Sequence, residues 1–157
     1  MNEFSAKKLG EVLAFADVGL ETFDKGREAF EKTLGENFAH MREEIISHKD
    51  LLHSIADECH VLDIVMKKLE STGEKLRKMR DLYVGDEWNN PTELMEWSGF
   101  FEGAAVVHWQ LVKGVSESTS HATLSSLSDR ALKFHEDFFA IAKDALRDVG
   151  VRRSNSN

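Results

Sequence analysis

The sequence predicts an all-α protein: an antiparallel four-helix bundle of two long helical hairpins, with a short extra helix in the connection between them. Its 157 residues include one proline. Strong helix formers dominate, and apolar residues recur every three or four positions over long stretches. The length fits one domain. We expect residues 1–150 to form it and residues 151–157 to be a disordered polar tail.

The first hairpin is predicted from two apolar seams. Helix A should run from about Ser5, a candidate N-cap, to Leu34, and Gly35 then supplies a left-handed stop. Helix B should run without a break from Phe38 to Leu69, because its apolar residues keep a seven-residue repeat. Every position of that seam is apolar or cysteine except His48. A histidine is therefore expected in the core.

The connection is predicted to contain a short helix. Thr72 and Gly73 indicate a break after helix B, and a helix of about 73–83 follows, with a loop over 84–90. Helix C has a strong start signal, because Asn90 can cap it and Pro91 takes the first helical position. Its seam includes His108, and it should end within 116–120.

Helix D is predicted from about His121 to Val149, where Gly150 closes it. Its apolar seam passes through Leu124, Ala131, Phe134 and Phe138. Two long hairpins joined by about twenty residues give the four-helix bundle, in either an up-and-down or a crossover topology.

Charge and composition exclude several functions. The net charge of −8 disfavours nucleic-acid binding, which depends on clustered lysine and arginine. No apolar run approaches 18 residues, so no membrane span is expected. A single cysteine, Cys59, forms no internal disulfide, and we see no signal peptide. These features predict a cytoplasmic protein.

Three histidines are the sequence's main hint of chemistry. When residues are counted from the hairpin turns, these histidines fall near one level of the bundle, with three glutamates close by in either topology. Imidazole and carboxylate together suit iron, manganese or zinc. The predicted metal ligands are His48, His108, His135, Glu44, Glu102 and Glu136.

In its length, its two hairpins and its mid-helix Glu and His residues, the chain resembles the ferritin-like superfamily. Glu11 precedes Glu44 by 33 residues, and Glu102 precedes His135 by the same interval. The resemblance implies a metal-binding bundle, with redox chemistry if the protein is an enzyme. The family's Glu-x-x-His motif is absent, because Glu44 precedes its histidine by four residues.

Three other functions stay open. Trp97, Phe100 and Phe139 lie beside the seams, and surplus apolar surface is typical of a non-enzymatic interaction or oligomerisation bundle, here a homodimer. His108 followed by Lys113-Gly114 is similar to a histidine phosphotransfer motif with altered spacing. His48 and His108 could also hold haem without covalent attachment. The sequence does not establish whether the protein is an enzyme.

Overall fold

The computed structural model describes residues 1–155, and these are helical apart from short turns. This confirms the prediction of an all-α protein. The helices are α1 (Glu3–Lys25), α2 (Arg27–Leu34), α3 (Asn37–Glu58), α4 (Leu62–Val84), α5 (Pro91–Thr119) and α6 (Ala122–Ser154). None of them is both long enough and apolar enough to cross a membrane.

Four helices contact one another in a closed ring, α1 to α3 to α6 to α5 and back to α1. Neighbours in the ring are antiparallel. For example, Asp24 near the end of α1 binds Arg42 near the start of α3, while Asp17 binds Lys49 further along α3. On the far side, Lys113 late in α5 binds Asp129 early in α6.

Helix α4 lies outside this ring and packs along α1 in the same direction. Gly10 of α1 lies against the Val65 carbonyl. Further along both helices, Glu21 binds Arg77 and Arg80. The prediction of a short helix over 73–83 is therefore wrong: the connection holds a full helix of 23 residues.

The predicted continuous helix B is wrong because the chain turns at 59–61. His60 takes a left-handed conformation with φ of 54°. The Val61 N–H donates to the Ala56 carbonyl and the His60 N–H donates to the Asp57 carbonyl. This is the Schellman pattern that normally uses glycine, and histidine is among the residues that tolerate a positive φ. Because no glycine occupies this position, the turn lacks the residue that normally marks a helix end.

The predicted helix break at Gly73 is wrong. It is buried inside α4, and a Cβ built there would lie 2.9 Å from the guanidinium of Arg77. Arg77 crosses this gap to bind Asp17 and Glu21 on α1. The absence of a side chain at Gly73 therefore leaves space for Arg77, and the helix continues through this position.

The structure differs from the predicted bounds of helices A and D, and it agrees with the predicted start of helix C. Helix A divides at Gly26, where a Cβ would lie 2.4 Å from Cδ1 of Leu94 on α5. Helix α6 continues to Ser154, beyond its predicted end at Gly150. Residues 156–157 of the predicted tail lie outside the described residues. The start of α5 is as predicted, with the Asn90 side chain accepting a hydrogen bond from the Thr92 N–H.

The buried face of α5 differs from the predicted seam in its second half. Trp109 and Val112 are buried there, whereas His108 is half-buried and Leu111 is exposed. A straight helix has 3.6 residues per turn, so a seam extrapolated at 3.5 drifts by about 20° per heptad. The drift turns His108 and Leu111 towards the edge of the core.

The core consists of two clusters. An aromatic half contains residues such as Phe23, Phe30, Phe101 and Phe138. An aliphatic half contains leucine, valine and alanine side chains, with Trp109 among them. His48 contacts both, because its ring lies against Phe134 on one side and Trp109 on the other. His48 thus lies where the two halves of the core meet.

Candidate functional site

His48 is held in the core by its own helix. The ring is 1% exposed, and Nε2 lies 3.1 Å from the Oε1 atom of Glu44, one helical turn earlier in α3. Arg130 of α6 donates to the same carboxylate oxygen at 2.8 Å. Glu44 therefore links a buried imidazole to a cation near the surface, and these two partners fix its position.

His135 forms a second pair with a carboxylate, this time between two helices. Its Nδ1 lies 2.5 Å from the Oε2 atom of Glu102 on α5. Both residues are at most 5% exposed. Charged groups are rarely buried without a partner, and here each satisfies the other. The pair ties α5 to α6 at mid-length.

Both histidines line one small cavity. Their ring centroids are 6.3 Å apart, and the Trp109 indole lies 6.0 Å from His48 and 6.5 Å from His135. The cavity has a volume of about 20 Å³, enough for one water molecule. Phenylalanine rings form much of its wall, and Glu102 reaches it from α5.

Trp109 contributes the unusual feature of the cavity. Its side chain is 1% exposed, and its Nε1–H has no hydrogen-bond partner among the described residues. The two hydroxyl groups of the wall are satisfied, since Ser98 and Thr22 donate to carbonyl oxygens of their own helices. A buried donor without an acceptor costs about 1–3 kcal/mol. The cavity has room for one water molecule, whose oxygen could accept this hydrogen bond.

Each histidine uses one ring nitrogen for its carboxylate. The bonds use Nε2 of His48 and Nδ1 of His135, so the second nitrogen of each ring takes no part in the bond to its carboxylate. When the bonded nitrogen carries the proton, the other has a free lone pair. Two imidazole nitrogens outside the carboxylate pairs and one N–H donor thus belong to residues that line the cavity.

Burial keeps His48 neutral. Desolvation, with a smaller contribution from the charge of His135, lowers the pKa of His48 to about 4. Burial opposes ionisation of Glu44, but the hydrogen bond from Arg130 and the charge of His48 hold the pKa of that carboxyl below its usual value. At neutral pH the pair is therefore a neutral imidazole beside a carboxylate.

A surface groove between α3 and α6 lies just outside this site. Its volume is about 400 Å³, and Glu44 and Arg130 are among its lining residues. Phe138 lines both the groove and the core cavity. The groove therefore adjoins the site, because it shares Phe138 with the cavity and Glu44 bonds to His48.

His108 lies at a different place from the other predicted ligands. Its Nδ1 is 3.1 Å from Glu11 Oε2 on α1, and Lys8 and Lys68 hold the same carboxylate. The His108 side chain is one-third exposed. It does not line the core cavity, so the structure does not pair it with His48 as haem ligation would require.

The six predicted metal ligands are only partly brought together. His48, His135 and Glu102 line one cavity, with Glu44 bonded to His48. His108 belongs to the Glu11 cluster, and Glu136 is exposed on α6. Within residues 1–155, no three His, Cys, Asp or Glu side chains are grouped so that they could hold a metal ion. The ligand set of a two-metal centre does not fit this arrangement.

Two residues of the site were missed from the sequence. Trp109 lies outside the predicted seam of this helix, although a 3.6-residue period places it on the buried face of α5. Arg130 gave no signal, because its partner Glu44 lies 86 residues away. Comparisons with family models, curated proteins and solved structures found no match to this chain.

Proposed function

We propose that the protein binds a single transition-metal ion, iron, manganese or zinc, between His48 and His135. The observation that supports this proposal is the pair of imidazoles, each bonded to its own carboxylate through one nitrogen and both lining one cavity. Metal-bound histidines commonly donate their second N–H to a carboxylate in this way. Glu44 and Glu102 would serve as these outer partners.

The protonation state of the site supports binding at neutral pH. A proton on the ligating nitrogen competes with a metal ion. Because the pKa of His48 is about 4, that competition is weak above pH 5. Because burial disfavours the protonated form of His48, its neutral imidazole is available as a ligand.

The free indole N–H fits the same proposal. A protein that supplies two imidazoles leaves coordination positions for water or another small ligand. An oxygen ligand of that kind could accept the hydrogen bond that Trp109 lacks. When bound, the ion would supply Lewis acidity or redox chemistry, and the chain's own residues would orient the imidazoles and keep bulk water out.

Elemental analysis of untagged protein tests the proposal. We expect close to one equivalent of iron, manganese or zinc per chain, and loss of most of it in His48→Ala and in His135→Ala. The matched control is His108→Ala, which also removes a histidine bonded to a carboxylate but should leave the metal content unchanged.

Metal-free protein that takes up none of these three ions during titration would overturn the proposal. Uptake that His108→Ala abolishes and His48→Ala leaves intact would overturn it as well. Circular dichroism of each variant distinguishes loss of a ligand from loss of the fold.

We further propose that the ring formed by α1, α3, α6 and α5 corresponds to the antiparallel bundle of the ferritin-like superfamily, and that the protein is cytoplasmic. The second helical hairpin and the Glu102–His135 pair support that correspondence. The ring would then be the metal-binding unit, with α4 as an added helix.

A second candidate function is self-association without chemistry. Its supporting observation is the number of large apolar side chains at the surface of α4 and α5, among them Leu82 at 88% and Phe100 at 65% exposure. Contiguous apolar surface is typical of protein–protein contacts. Sedimentation equilibrium should show a homodimer at micromolar concentration, and a monomer throughout that range would contradict this candidate.

A further inference from the structure

The outer face of α5 has a line of exposed apolar side chains, which we call the α5 stripe. It consists of Phe100, Ala104, Val107 and Leu111. Spacings of four, three and four residues place all of them on one side of a helix. Between 103 and 112 the chain has no Asp, Glu, Lys or Arg. The stripe is therefore an uncharged surface on a chain whose net charge is −8.

Helix α4 broadens this surface at one end. Met79, Leu82 and Tyr83 lie beside Phe100, and together with Trp97 they line one shallow depression. The Tyr83 and Phe100 rings are 5.3 Å apart in an edge-on arrangement. The stripe and this corner of α4 form one continuous apolar area.

The spacing of the stripe is the same when read in either direction. An antiparallel second copy, related by a twofold axis between residues 104 and 107, places Phe100 opposite Leu111 and Ala104 opposite Val107. Large residues then lie at both ends and the smallest one lies near the axis. A twofold interface requires a surface that is complementary to itself in this way.

We propose that α5 packs antiparallel against α5 of a second copy of this chain through the stripe. This inference rests on the self-association named above as the second candidate function, and it specifies the surface and the register. It is independent of the metal proposal, because the stripe faces away from the core cavity.

The exposed apolar area is close to what a standard interface buries. From their exposed fractions, the side chains of the stripe and of the α4 corner present on the order of 700 Å² per copy. A standard interface buries about 800 Å² per partner. Ala104 is the smallest residue of the stripe and lies beside the axis, so the helix backbones can come closest there.

Charge favours this face over the rest of the surface. Two copies with a net charge of −8 repel each other wherever acidic side chains face each other. The stripe lacks acidic residues, so contact through it brings none of its own side chains into like-charge repulsion. A second copy has the same uncharged face and needs no partner of opposite charge.

The first experiment measures the dimer dissociation constant of Ala104→Glu by analytical ultracentrifugation. Because the twofold axis brings the two substituted positions close together, we expect the dissociation constant to rise roughly 100-fold or more. The matched control is Ala140→Glu, the same change at an exposed position of α6, which should leave the constant unchanged. Equal effects of both variants, or a wild-type protein that is monomeric, would overturn the proposal.

The second experiment tests the register by disulfide cross-linking, with Cys59→Ser as the background. Ala104→Cys should cross-link to itself, because the two copies of residue 104 lie near the axis. Phe100→Cys should not cross-link to itself, because its two copies lie roughly 16 Å apart along the helices. It should cross-link when mixed with Leu111→Cys.

Self-linking of Phe100→Cys would indicate a parallel pair and would overturn the proposed register. Metal analysis of the same samples separates the two proposals. Loss of the dimer in Ala104→Glu with unchanged metal content is the expected result. If the protein contains no metal but shows the predicted cross-links, only the metal proposal fails.

Discussion

The two halves of the core are packed in different ways. In the aliphatic half, leucine side chains such as Leu9, Leu13 and Leu52 are fully buried, and α4 approaches α1 closely enough for backbone contact at Gly10. In the aromatic half, rings meet in tilted or edge-on pairs, as between Phe23 and Phe30 at 4.7 Å. Rigid rings fill space less evenly than branched aliphatic chains, and the cavity beside the histidines is lined mainly by the aromatic half.

Helix α1 crosses both halves and has a glycine in each. A Cβ at Gly10 would lie 2.5 Å from the Val65 carbonyl oxygen, whereas a Cβ at Gly19 would lie 3.4 Å from Cε1 of Phe101. The first distance is a clash with backbone, and the second is close to ordinary contact. One substitution in one helix can therefore compare the two halves directly.

The largest effect is expected for Gly10→Ala. The added methyl group must push α4 away from α1, because neither backbone can rotate out of the contact. Overpacking of this kind costs about 1–3 kcal/mol, and occasionally more when backbone must shift. We expect the free energy of unfolding in urea to fall by about 3 kcal/mol. A loss below about 0.5 kcal/mol would show that the aliphatic half adapts easily.

The next largest effect is a pH dependence of the free energy of unfolding, caused by His48 at the boundary between the two halves. The pKa of His48 is about 4 when folded and about 6.5 when unfolded. Between these values the unfolded chain binds a proton that the folded chain does not, so stability falls as pH falls through this window. This proton uptake lowers the free energy of unfolding by roughly 3 kcal/mol at pH 4, and it has no effect above pH 7.

His48→Leu removes this proton uptake. We expect the variant to lose less stability than the wild type between pH 6.5 and pH 4.5, measured by urea unfolding at several pH values. The pKa of Glu44 is lowered, so that carboxyl remains ionised over most of this window and does not mimic the effect. Parallel pH profiles for the two proteins would contradict a buried neutral histidine.

The smallest effect, of opposite sign, is expected for Gly19→Ala. The methyl group adds packing beside Phe101 at the wall of the cavity and removes backbone freedom from the unfolded chain. We expect a gain of about 0.5–1 kcal/mol in the free energy of unfolding. Destabilisation similar to that of Gly10→Ala would show that the aromatic half has no spare room.

The sequence predicted the helical class and the burial of His48 because both depend on local periodicity. It placed His108 in the core and Leu111 beside it because a heptad was extended along a helix that follows 3.6 residues per turn. The turn at His60 was missed because it uses a left-handed residue other than glycine. Counting residues from the hairpin turns placed Glu102 near the buried histidines. The pairing of Glu11 with His108 could not be predicted, because it depends on how α1 packs against α5.

The parallel pairing of α1 and α4 has a consequence for folding order. Asp17 and Arg77, which join these helices, are 60 residues apart in the chain, whereas α5 and α6 are joined at Lys113 and Ser125, only 12 residues apart. Bringing distant segments together has a greater entropic cost before any contact compensates for it. We therefore expect the α5–α6 hairpin to form early and the α1–α4 contact to form late, so that substitutions at Gly10 should change the unfolding rate more than the folding rate.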